Sequence, residues 1–114
     1  MTTVLIYVTA SNEAEAATIG RALVEDRLVA FANVIGQVRS IYRWEGVVQD
    51  EHEAVLIAKT TTDQVEAVTA KVCELHSNTL PCIVALPILG GNPAFLDWVA
   101  AETTSGGGPP SKGV

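Results

Sequence analysis

Basic residues are scarce in this chain: seven Lys and Arg stand against thirteen Asp and Glu, a net charge of −6. Phosphate backbones select basic surfaces, so nucleic acid is excluded as an expected partner. Cysteine occurs twice, at Cys73 and Cys82. Two thiols without a secretory leader read as reduced side chains, not as a disulfide framework. No apolar run approaches the roughly 20 residues that span a bilayer, so no membrane partner is expected. The first eight residues, MTTVLIYV, have neither the basic start nor the length of a signal peptide. They read as a first strand, and the expected location is cytoplasmic. A phosphate-cradling glycine loop is missing too: Gly106-Gly107-Gly108 stands in the tail, not between strand and helix. Residues 9–12 hold no arginine for a phosphate cradle, and no nucleophile has a base in view. The expectation is a protein that is not an enzyme and requires no cofactor.

Apolar residues are abundant, at 48% of 114 residues with a mean hydropathy of +0.30. One domain of this size buries a core without metal or disulfides, but it cannot hide that much apolar surface. Subunit contact is the usual outlet. Residues 1–104 read as the domain, and 105–114 as a disordered Gly/Pro/Ser tail.

The pattern along the chain is β-α-β-β-α-β with a closing helix. Residues 3–9 are β-branched and aromatic. Asn12 to Glu15 reads as a capping box opening a helix whose buried face carries Ala16, Ile19, Gly20 and Leu23, with Glu15, Thr18, Arg21 and Glu25 opposite. A second helix follows a cap at 61–64 and buries Val65, Val68, Val72 and Leu75, with His76 closing that stripe. Residues 82–88 form an apolar strand, and Asn92-Pro93 starts a helix reaching about 103. This is an α+β, ferredoxin-like arrangement.

Residues 31–60 form its most unusual part, a long β-hairpin turning at Glu45-Gly46. Alternation places Val34, Val38, Ser40, Tyr42 and Trp44 on one face and Arg39, Ile41 and Arg43 on the other, with a bulge or bend at Gly36. A two-residue turn pairs Trp44 with Val47, Tyr42 with Gln49 and Arg39 with His52. Each arm is about twice the usual strand length, so the distal part projects past the body. Its open edges and large apolar side chains call for a neighbouring subunit. A solvated flap is the alternative.

The stretches Arg27-Leu28-Val29-Ala30, Asn33 and Ser40-Ile41-Tyr42-Arg43-Trp44-Glu45-Gly46 are similar to the CutA divalent-cation-tolerance family. So are Glu53, Lys59-Thr60-Thr61, His76, Pro81, Ala85-Leu86-Pro87-Ile88, Gly91-Asn92-Pro93, Leu96 and Trp98. The resemblance covers the chain from Val4 to about Ala101. It implies a homotrimer of ferredoxin-like subunits, similar to the PII signalling proteins, with hairpins paired between subunits. It also implies a link to tolerance of copper and other divalent cations. The chain departs from the pattern at Phe31, where family members often carry cysteine, and near Val8, where some do. It reads His76-Ser77-Asn78 where the family has His-Pro-Tyr, and Pro81-Cys82 where it has Pro-Glu.

The candidate cation ligands are His76, Cys82 and Glu53, with Cys73 and His52 as further donors. Imidazole and thiolate suit copper and zinc, and Cys73 lies one helical turn before His76. The plainer reading makes His76 a helix-terminal donor to carbonyls and both thiols small core residues. Tyr42, Trp44 and Lys59 are the hairpin and cleft candidates. Trp44 would line an intersubunit cleft for a small molecule or protein, or anchor packing at the strand tip. Lys59 would pair with Glu53.

Overall fold

Residues 2–103 are described by the structure, a computed structural model. The tail expected at 105–114 lies outside the described residues. Four antiparallel strands, β1 (Thr3–Ala10), β2 (Phe31–Trp44), β3 (Val47–Thr61) and β4 (Ile83–Pro87), form one sheet in the order β2-β3-β1-β4. Helices α1 (Glu13–Glu25), α2 (Val65–Leu75) and α3 (Pro93–Ala101) complete the fold. The element order is the one read from the sequence.

Period-two alternation builds the core. Val4, Ile6, Val8 and Ala10 on β1 face Ala54, Leu56 and Ala58 on β3, and all are buried. Ala16, Ile19 and Leu23 of α1 and Val68 and Val72 of α2 cover that face. Asn12 caps α1, its Oδ1 accepting the Glu15 N–H at 2.8 Å. The helix ends in a Schellman turn: the Leu28 N–H reaches Leu23 and the Arg27 N–H reaches Val24, both at 3.0 Å. Arg27 takes the left-handed position, φ 59°, that glycine usually fills.

The hairpin register is as expected: Trp44 faces Val47, Tyr42 faces Gln49 and Arg39 faces His52. Glu45 and Gly46 both have positive φ, 49° and 80°, as a turn matched to strand twist requires. The anticipated irregularity at Gly36 is a bulge. Ile35 pairs with Val55 and Val38 with Glu53, so Gly36 and Gln37 oppose Ala54 alone. One extra residue inverts the alternation. Val34 therefore stays on the helix side with Leu56, while Val38, Ser40, Tyr42 and Trp44 lie on the opposite side. The single face expected for all five is corrected.

Pairing of β1 with β3 ends at Ala10 opposite Ala54. Beyond it the hairpin runs on as a two-stranded ribbon with both outer edges unpaired among the described residues. Fourteen residues at about 3.3 Å each span ~46 Å, close to the 48 Å long axis of the molecule. Ile41, 67% exposed, and Val48, 58% exposed, are neighbours on one ribbon face. The far edge strand β4 is less buried than its apolar sequence promised, with Val84 and Leu86 half exposed.

Candidate cleft beside the hairpin

A cleft of about 710 Å³ opens beside the hairpin. One wall is the ribbon, with Ser40, Tyr42, Arg43, Trp44 and Glu53. The other is the 77–82 loop, with Asn78, Leu80 and Cys82, and Thr9 lies between them. Its volume is in the range of small-molecule sites. Tyr42 donates to Glu51 Oε1 at 2.6 Å. That bond, with desolvation and the nearby carboxylates of Glu51 and Glu53, holds the phenol above its ordinary pKa. Arg39 forms a two-pronged bond to Asp50 at 2.7 and 2.8 Å, so its cross-strand neighbour His52 is not its ionic partner.

The loop wall is held by two side chains. His76 caps α2 and is buried. Its Nε2 lies 2.7 Å from the Thr9 carbonyl oxygen, and its Nδ1 lies 3.0 Å from the Asn78 N–H. A carbonyl only accepts and an amide N–H only donates. The ring is therefore the neutral form with hydrogen on Nε2. The ring does not serve the helix carbonyls as expected; it ties α2 to strand β1. Thr9 is fixed from its other side, its N–H pointing to Cys82 O at 3.4 Å.

Glu15 is the second tie. Its Oε1 accepts from the Ser11 N–H and its Oε2 from the Ser77 N–H, both at 2.8 Å. The hydroxyls of Ser11 and Ser77 meet at 2.9 Å. Burial works against the Glu15 charge, but the Ser11 amide and the Ser77 hydroxyl and amide outweigh it. The carboxyl is held below its ordinary value. A depressed carboxylate contributes stability that is fully present above its unfolded pKa of ~4.3 and is lost as pH falls through the folded value. Glu15→Gln is thus expected to cost about 1 kcal/mol near pH 7, after allowance for solvent screening. The deficit should shrink as the pH is lowered from about 7 to about 3. Urea denaturation at both pH values measures it, and an equal deficit at both would refute the carboxylate's role.

The sequence grouped His76, Cys82 and Glu53 as cation ligands. Cys82 and Glu53 do line one cleft, whereas His76 is not among its lining residues. Among the described residues no three His, Cys, Asp or Glu side chains form a group able to hold a metal ion. Cys73 and Cys82 are both exposed, correcting their expected place in the core. Lys59 does not pair with Glu53. It donates to Asn33 Oδ1 at 3.3 Å and sits 4.8 Å from the centre of the Phe31 ring. Phe31 in turn packs edge-on against Phe95 and Trp98 of α3. Sequence reading missed Ser77 and Asn78 as wall residues, and it saw Glu15 only as a helix cap.

No helix among the described residues is long and apolar enough to cross a membrane. The sequence profile of the family described as CutA1 divalent ion tolerance protein matches residues 4–102. A divalent-cation tolerance protein CutA from Thermus thermophilus is 43% identical over 99 residues, 87% of this chain and 96% of that one. The solved structure of the Thermus thermophilus divalent cation tolerance protein (Cut A1) superposes with a TM-score of 0.87 at 42% identity, over 90% of this chain and 99% of that one. The periplasmic divalent cation tolerance protein CutA from Archaeoglobus fulgidus gives 0.85 at 36% identity, over 88% and 97%.

Proposed function

The chain belongs to the CutA1 divalent ion tolerance family, and from that membership we propose that it serves cation tolerance as a cytoplasmic homotrimer of ferredoxin-like, PII-like subunits. It acts by binding a small molecule or protein at the hairpin cleft, not by catalysis, and it engages neither nucleic acid nor a membrane. The observation that carries this reading is the projecting ribbon: two edges unpaired among the described residues, an apolar tip, and a cleft at its base. A ribbon of this kind is marginal alone and is satisfied by strand pairing with further copies. The cleft mixes aromatic, hydroxyl and amide groups with one unpaired carboxylate at Glu53, a lining suited to orienting an organic ligand.

Direct binding of copper or another divalent cation is the second reading. It is favoured by one observation, that Cys82 and Glu53 line the same cleft. Two donors support weak binding only. A thermal-shift screen of metabolites and divalent salts on native protein, Trp44→Ala and Cys82→Ala separates the two. An organic ligand should raise the native Tm by several degrees and fail to do so in Trp44→Ala. A shift confined to copper or zinc and lost in Cys82→Ala would instead favour the cation. No shift with any compound, together with an empty pull-down, would sink the cleft reading.

A further inference from the structure

We infer that His76 is a wall-positioning residue of the cleft and not a cation ligand. The inference deepens the cleft reading and rests on it for what the wall serves, but its chemistry is independent of any ligand. An imidazole binds a metal through an unprotonated ring nitrogen, and its other N–H commonly donates to a carbonyl. The bond from Nε2 to Thr9 is of that supporting kind and by itself would leave Nδ1 free. The decisive contact is the other one. The Asn78 N–H occupies the Nδ1 lone pair, within a turn whose preceding amide, Ser77 N–H, is held by Glu15.

A cation at Nδ1 would have to displace the Asn78 amide and pull the loop from its Glu15 anchor. A cation at Nε2 would have to remove the ring hydrogen and strand the Thr9 carbonyl. Either way a part-buried backbone group loses its hydrogen-bond partner. The surroundings offer no compensating ligands. The carboxylate position of the family pattern is Cys82, its tyrosine position is Asn78, and among the described residues the remaining donors do not gather into a group able to hold a metal ion. A divalent cation held by His76, one of the candidate ligands read from the sequence, therefore does not fit these residues.

What the same geometry does is define the cleft. The ring joins the end of β1 to the first residues of the loop, and Thr9, Ser77 and Asn78 all line the cavity. Three elements are registered by one neutral side chain: β1 through Thr9, the end of α2 through His76 itself, and the loop through Asn78.

Two measurements test this. Long-range proton–nitrogen correlation spectra of the native full chain report each ring nitrogen of the two histidines. The expected result is a neutral His76 with hydrogen on Nε2, unmoved by zinc up to tenfold excess. A shift of either His76 nitrogen at one equivalent of zinc per chain would overturn the inference, and no variant has to fold for that outcome to count. Amide exchange in His76→Gln then tests positioning. Loss of the Nδ1 acceptor should speed Asn78 exchange about tenfold or more, with the Ile6 and Leu56 amides unchanged within about twofold. Uniform acceleration, or none at Asn78, would refute a local wall role. Failure of the metabolite screen would leave both results standing.

Discussion

Replacing Ile41 and Val48 together with Asp is expected to reduce the proposed trimer to single chains of 12.0 kDa. The two side chains are diagonal neighbours on one face of the ribbon and are the most exposed of its large apolar residues apart from Val47. Burial of each against another subunit contributes roughly 1.5–3 kcal/mol. Losing both, and burying two carboxylates in their place, costs at least about 4 kcal/mol per chain, a thousandfold or more in the association constant. Neither residue touches the core formed by β1, β3, α1 and α2, so the single chain should retain its far-ultraviolet signature. Size-exclusion chromatography with light scattering at micromolar concentration decides the matter. A native protein eluting at the mass of one chain would reject the trimer outright. A double variant of unchanged mass would remove the ribbon from the interface.

The ribbon was legible because its signals are local. A positive-φ turn pair at Glu45-Gly46 sets the register for seven residues on each side, up to the bulge, and alternation carries it along the strands. The bulge was legible as a place but not as a consequence. Locating Gly36 does not reveal whether the chain bends there or inserts an extra residue, and the parity of everything beyond depends on that. That is why Val38 was placed with Val34 and lies on the other side.

The cleft was less legible, because its wall is built from long-range contacts to backbone. Periodicity put His76 at the buried end of the α2 stripe, and it is buried there. Its partner Thr9 is 67 positions away, and no side-chain pattern announces a carbonyl acceptor. Glu15 shows the same limit. As part of a capping box it was expected to turn back to the helix start, and one oxygen does so at Ser11. The other crosses to Ser77, 62 positions on. Lys59 failed for a different reason. Glu53 has the same parity, yet it pairs with Val38 while Lys59 pairs with Phe31, several registers away along the strand. Charge complementarity was allowed to outweigh distance. The thiols were placed in the core by residue type, while their positions on the α2 surface and at the cleft rim leave both exposed.

Leu56→Ala should be the most damaging single core truncation, because Leu56 is fully buried on the central strand β3 beneath α1. The loss is expected at roughly 3–5 kcal/mol, the transfer term plus the cavity left behind. Its neighbour makes the prediction sharper. A methyl group added at Gly20 of α1 would stand 2.9 Å from Leu56 Cδ1, so the helix rests on the strand only because that position has no side chain. Gly20→Ala alone gains about 1 kcal/mol of helix propensity but forces Leu56 from its rotamer, at an overpacking cost of about 1–3 kcal/mol. The net effect is destabilising. In the Leu56→Ala background the clash is gone and the added methyl enters the cavity, so the same substitution should stabilise by about 1 kcal/mol. The sign of Gly20→Ala therefore reverses between backgrounds, a coupling of about 2 kcal/mol. Urea denaturation of the four proteins at one fixed chain concentration measures it, since the proposed assembly would make stability concentration-dependent. Additive effects would show that α1 can retreat from β3, and that the close packing at Gly20 does not hold helix and sheet in register.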